Sequence, residues 1–152
     1  MSVFTWPARV YWEDTDGGGV VYYANYLKYL ERARTEWLRA HGFSQQELAR
    51  DLGILFTVVN LNLEYKRAAR LDDELIVTCE PRSEGAASLR FGQRILRDSK
   101  GAMHTDRRGA GLGAASLIVS AEVRIACVDA RSFRPQRLPD ALVSALSAQE
   151  PA

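Results

Sequence analysis

The sequence predicts an α+β fold, a five-stranded antiparallel sheet curled around one long helix. Three observations carry this. One stretch repeats apolar residues at helical spacing, four later stretches alternate them with period two, and an Asp/Gly-rich loop falls just ahead of the helix. Clean alternation marks strands with one packed and one wetter face, as in antiparallel sheets, rather than the continuous apolar runs of buried parallel strands.

In chain order, Arg9 to Trp12 reads as a short strand leading into the loop. Asn25 to His41 reads as a helix. Tyr26, Leu27, Tyr29, Leu30, Ala33, Trp37 and Leu38 form its apolar stripe, and Lys28, Glu31, Arg32, Arg34, Glu36 and Arg39 fill the solvated side. Asn25 suits the N-cap, and Gly42 suits the stop just past the end. Ser44 and Glu47 have capping-box spacing, so a shorter helix is expected over 44–52. Strands follow at 55–65, 75–80, 88–95 and 117–127, each alternating apolar with polar residues. Between the last two, the Gly-, Ala- and charge-rich stretch 98–115 reads as a long mobile hairpin insert. Pro139 suits the first position of a closing helical turn or two.

The whole chain, 1–152, reads as a single domain with no internal repeat. One helix covers one face of such a sheet, so the bare edges and remaining face favour a dimer.

Composition narrows the function. A 152-residue chain with 47% hydrophobic residues can bury a substantial core. Its formal net charge of +1 lacks the concentrated basic surface of a nucleic-acid binder. No apolar run is long enough for a transmembrane segment, and the N-terminus lacks the pattern of a secretory signal. Cys79 and Cys127 sit in strand-like segments and read as buried reduced thiols, which makes the cytoplasm the expected compartment. No His/Cys constellation suggests a metal. His41 lies at a helix end and His104 in the insert, and no Gly-x-Ser-x-Gly elbow occurs, so acid/base work falls to carboxylates. Gly109-Ala110-Gly111-Leu112-Gly113 has the wrong spacing and context for dinucleotide binding.

The most informative stretch runs from Glu13 to Tyr26: Glu-Asp-Thr-Asp-Gly-Gly-Gly-Val-Val-Tyr-Tyr-Ala-Asn-Tyr. Glycines let backbone N–H groups approach a ligand, and the free N–H groups at a helix start attract developing negative charge. Asp16 then places a nucleophile or general base beside an oxyanion site, the chemistry of acyl transfer. Asp14 reads as a structural residue bonding loop backbone, and Glu13 as solvated. Glu31, amid Lys28, Arg32 and Arg34, reads as a helical ion-pair member.

This order of motifs resembles the hotdog-fold acyl-CoA thioesterases. The residues that carry the likeness are Tyr11-Trp12-Glu13-Asp14-Thr15-Asp16, Gly19-Val20-Val21-Tyr22, Ala24-Asn25-Tyr26-Leu27 and Glu31-Arg32-Ala33-Arg34. Leu63-Glu64-Tyr65, Ala69-Arg70-Leu71-Asp72-Asp73 and Cys127-Val128-Asp129 extend it. The match is to the 4-hydroxybenzoyl-CoA thioesterase group, and within it to the Tol–Pal-associated acyl-CoA thioesterases. The resemblance implies hydrolysis of an acyl-CoA to carboxylate and CoA at a dimer interface, in a homodimer or homotetramer, with no cofactor beyond CoA in the substrate. It implies Asp16 as the catalytic carboxylate and the backbone N–H of Tyr23 as the carbonyl-polarising donor.

The chain departs from the subgroup at Tyr23, where histidine is usual and aromatic-specific members carry tyrosine. Ala68 replaces a common proline, and the 98–115 insert is longer than expected. Gly19, Val20, Tyr22 and Tyr26 are expected to contact substrate, Phe56 to line the acyl tunnel, and Lys66, Arg67 and Arg70 to face the CoA phosphates. Alternative readings are a thioesterase for acyl carrier protein, or a non-catalytic acyl-CoA-binding adaptor contacting envelope machinery.

Overall fold

The computed structural model describes residues 3–98 and 117–149. The expected insert, 98–115, lies outside them apart from Asp98. Five strands form one antiparallel sheet: β1 (Phe4–Arg9), β2 (Ile54–Tyr65), β3 (Glu74–Ser83), β4 (Ser88–Arg97) and β5 (Leu117–Asp129), in the order β1-β3-β4-β5-β2. The long helix α1 (Tyr26–Ala40) buries Tyr26, Tyr29, Leu30, Ala33, Trp37 and Leu38 in a core with Leu75, Val77 and Cys79 of β3 and Leu89, Phe91 and Ile95 of β4. This is the expected fold: a sheet wrapped on a central helix.

Gly42 follows α1 at φ +86°, and Phe43 N–H returns to the Leu38 carbonyl at 2.9 Å, closing the helix end where expected. Ser44 accepts the Glu47 N–H at 3.4 Å and starts α2 (Gln45–Glu47), which runs on as a wider π-type turn over Leu48–Leu52. Gly53 ends it in the left-handed region at φ +64°.

The structure corrects several expectations. The first strand is Phe4–Arg9, not Arg9–Trp12. Pro7 is tolerated because β1 is an edge strand, while Trp12–Asp14 forms a 3-10 turn. Asn25 does not cap α1: it has helical φ/ψ, closes a 3-10 turn from Tyr23, and sends its amide elsewhere. The strand β2 is not half-buried along its length. It lies on the far edge of the sheet, with Val58 49% and Val59 52% exposed and a register shift between Val58 and Asn60. The strand β3 is buried on both faces, since Ile76 and Thr78 are as inaccessible as Leu75 and Val77. The closing helix α3 (Asp140–Gln149) exceeds the expected turn or two. It begins after Pro139 and places Leu142 and Leu146 in the main core. Cys79 and Cys127 are buried free thiols, and burial pushes the Cys79 thiol up to about 12.

Candidate active site

The Asp/Gly stretch folds into a narrow hairpin just ahead of α1. Asp16 N–H donates to the Val20 carbonyl at 2.9 Å, Tyr22 N–H to the Asp14 carbonyl at 2.9 Å, and Thr15 bridges Val21. Gly17, Gly18 and Gly19 form the tip. At Gly19 φ is +80°, a conformation that favours glycine, and Gly19 N–H returns to the Asp16 carbonyl at 3.2 Å. The returning arm also pairs on its other side. Val21 N–H donates to the Ala69 carbonyl at 2.9 Å, and Val20 bridges Arg70. The loop is thus held between two segments rather than hanging free.

On this scaffold Asp16 is exposed. Its Oδ1 accepts the Gly18 N–H at 2.7 Å, an Asx-type turn that orients the carboxylate and leaves the second oxygen outside that bond. Tyr23 opens the helical segment, so its N–H has no acceptor in a preceding turn. The peptide around it is braced from several sides: the Tyr22 carbonyl accepts Asn25 N–H at 2.8 Å, and the Tyr65 hydroxyl donates to the Tyr23 carbonyl at 2.8 Å. The Tyr22 and Tyr23 rings, 4.8 Å apart, are both exposed beside the loop.

Not every expected contact lies at this surface. Tyr26 is in the core, with its hydroxyl accepting the Ala69 N–H at 3.0 Å and its ring edge-on to Tyr65 at 5.6 Å. Lys66 pairs with Glu64 at 2.6 Å, and Arg67 donates to the Leu117 carbonyl at 3.1 Å. Arg70 is exposed, and its backbone lies against Val20 of the loop. Glu31 makes no ion pair among the described residues. It accepts from the Thr35 hydroxyl at 2.7 Å.

Glu31 instead borders a cavity of about 150 Å³ with Arg34, Leu38, Phe56, Val58 and Phe91. Arg34, expected on the solvated side of α1, instead turns inward and is partly buried. It donates to Gln93 Oε1 at 2.9 Å, and the Gln93 amide donates to the Leu30 and Thr78 carbonyls and to Cys79 Sγ. Burial lowers the Arg34 guanidinium pKa, with the charge of Glu31 acting in the opposite sense. The legible signal was Gln93 itself, a polar residue in the apolar phase of β4 between Phe91 and Ile95.

Among the described residues no group of three or more His, Cys, Asp or Glu is placed to hold a metal ion, and no helix is long and apolar enough to cross a membrane.

An antiparallel sheet wrapped on one long helix, with an Asp/Gly hairpin leading into that helix, is the hotdog fold of thioesterases. The chain belongs to the thioesterase superfamily, whose family model matches residues 18–103. Among its relatives is the acyl-CoA thioester hydrolase YbgC of Escherichia coli O6:H1, 42% identical over 94% of this chain and 95% of that protein, in keeping with the expected subgroup. A probable thioesterase from Bartonella henselae superposes with a TM-score of 0.75 at 32% identity, covering 91% of this chain and all of the other. Slr0204 of Synechocystis, a 1,4-dihydroxy-2-naphthoyl-CoA thioesterase, shares the fold with a TM-score of 0.80 at 22% identity over 95% and 96% of the two chains.

Proposed function

We propose that this protein hydrolyses acyl-CoA thioesters, with Asp16 and the Tyr23 N–H acting on the same thioester carbonyl. Water supplies the oxygen, the acyl C–S bond breaks, and the proton goes to the CoA sulfur. Asp16 either attacks the carbonyl carbon, giving a mixed anhydride that water then opens, or draws the proton from an attacking water. In both routes negative charge grows on the carbonyl oxygen. A fixed N–H aimed at that oxygen is worth about 3–4 kcal/mol of barrier.

The observation that carries the reading is the hairpin. It presents an oriented, exposed carboxylate and ties the strand that bears it, through Tyr22 N–H to the Asp14 carbonyl, to the peptide preceding the helix. The cavity beside Phe56 and Val58 supports an acyl-binding role, and Arg70 next to Val20 supports a CoA phosphate contact. Gly19, Val20 and Tyr22 line the approach to the thioester, whereas Tyr26 serves from beneath by fixing Ala69. The exposed β2 edge suits antiparallel pairing with a second copy in a homodimer, which would bring Val58 and its cavity to an interface.

The test is a turnover panel on the wild-type protein: butyryl-, palmitoyl- and benzoyl-CoA, each against the matched carrier-protein thioester, followed by release of free thiol. Hydrolysis of at least one CoA ester, faster than its carrier-protein counterpart, is expected. Tight binding of all three CoA esters with no turnover would identify a binding protein and end the reading. Faster hydrolysis of the carrier-protein esters would move the substrate to that class.

A further inference from the structure

We propose that Asp14 is a positioning residue for the reaction, a buried clamp that sets the Tyr23 N–H against the Asp16 carboxylate. This rests on the reading of Asp16 and Tyr23 given above. Asp14 is 5% exposed, one of four buried polar or charged side chains among the described residues. A carboxylate is costly to bury unless its oxygens are paired, and here each oxygen has a different partner. Oδ2 accepts the Tyr11 N–H at 2.8 Å, fixing the turn that enters the hairpin. Oδ1 accepts the Asn25 amide at 2.9 Å, reaching across to the last residue before α1.

The Asp14 main chain acts in the same direction, since its carbonyl holds the Tyr22 N–H at 2.9 Å. Asn25 N–H in turn holds the Tyr22 carbonyl at 2.8 Å. The peptide group joining Tyr22 to Tyr23, which carries the candidate oxyanion donor, is therefore bracketed by Asp14 and Asn25. Those two residues are bonded to each other. Side chain and backbone form a closed ring linking the carboxylate's strand to the donor's peptide.

Burial alone would raise the Asp14 pKa, but the hydrogen bonds from Tyr11 and Asn25, the nearby Tyr29 hydroxyl and the charge of Arg32 outweigh it and bring the pKa below the usual carboxylate value. The Tyr29 hydroxyl, buried beside it, makes no hydrogen bond of ordinary geometry. Burial and the adjacent Asp14 push its pKa well above that of a free phenol, so it stays a neutral neighbour of the charge. The Asp14 and Asn25 side chains are buried, 5% and 7% exposed, and bonded to each other, so they act through the Tyr22–Tyr23 peptide, a positioning role rather than a catalytic one.

The test measures kcat and KM separately, on the best CoA ester of the panel, for Asp14→Ala, Asn25→Ala, the double variant and Asp14→Asn, with circular dichroism giving the folded fraction. Asn25→Ala is expected to lower kcat about tenfold and Asp14→Ala about thirtyfold, with KM within threefold of wild type. The double variant is expected to be no slower than Asp14→Ala, because both break one ring. Asp14→Asn keeps an oxygen for Tyr11 and offers an N–H to a turned-over Asn25 amide, so it returns to within fivefold of wild type.

If Asp14→Ala fails to fold, Asn25→Ala and Asp14→Asn carry the test, since both leave the Tyr11 bond in place. Asn25→Ala keeping more than half of wild-type kcat would overturn the clamp, as would a kcat loss that only tracks the unfolded fraction. Asp16→Asn, assayed alongside, separates the two readings. If it stays active, the reading of the site fails whatever Asp14 does. If it is inert while Asn25→Ala is fully active, only the clamp fails.

Discussion

Asp16 and Asp14 stand two residues apart and have opposite environments. Asp16 is exposed with one backbone donor, whereas Asp14 is buried with two hydrogen bonds from different segments. The glycines between Asp16 and Val20 are not interchangeable either. A Cβ on Gly17 would meet open space, one on Gly18 would come to 3.2 Å from Asp16 Oδ1, and one on Gly19 would sit on a backbone at φ +80°. Gly17→Ala should therefore keep wild-type turnover. Gly18→Ala should lower kcat several-fold by swinging the carboxylate, with little change in thermal midpoint. Gly19→Ala should destabilise the fold by about 1–2 kcal/mol in urea titration. Equal effects at all three positions would show the loop to be merely flexible.

Asp14 also has a pH signature. Its folded-state pKa is depressed, so its stabilisation is complete at neutral pH and is lost as pH falls through that value. The gap in urea midpoint between wild type and Asp14→Asn should narrow from pH 7 to about pH 3, below the ordinary carboxylate range. A constant gap would contradict this. The sequence pointed to Asp16, through its glycine context, and to a structural Asp14. The Asn25 partner was not legible, because an Asn ahead of a helix fits a local cap equally well, and its actual bond spans eleven positions.

At the scale of elements, legibility followed how local the determining forces are. The helix α1 was clear because its stripe and its Gly42 stop are both written within the segment. The strands β4 and β5 were clear because alternation survives in a sheet interior. The edge strands were not. Pro7 hid β1, and alternation in β2 says which side chains share a face but not that no neighbour follows. The helix α3 was under-read because its burial depends on a sheet assembled from distant residues. Leu142 is fully buried in that shared core. Leu142→Ala should cost about 2–5 kcal/mol by chemical denaturation, whereas an α3 that is only a surface appendage would lose under 1 kcal/mol.

At the scale of the molecule, one edge of the sheet is left with a twelve-residue strand whose Val58, Val59 and Leu61 face solvent. Long exposed edges recruit partners, and a second copy of this edge is the proposed one. Val59→Asp should shift the protein toward monomer in sedimentation velocity and lower turnover with it. A variant that is monomeric and fully active would remove the interface from the account. The family was legible because the hairpin motif is contiguous in sequence. Of the cavity walls Phe56 was expected, but Glu31 and Phe91 were not, since they meet it only once α1, β2 and β4 are in place.

The whole account depends on the Asp16 carboxylate acting on the thioester. Asn at this position keeps an oxygen for the Gly18 N–H and so preserves the turn, which makes thiol release by Asp16→Asn the most direct measurement. A fall of a hundredfold or more in kcat, with unchanged circular dichroism and oligomeric state, is the predicted result. Retention of more than a tenth of wild-type turnover would contradict it.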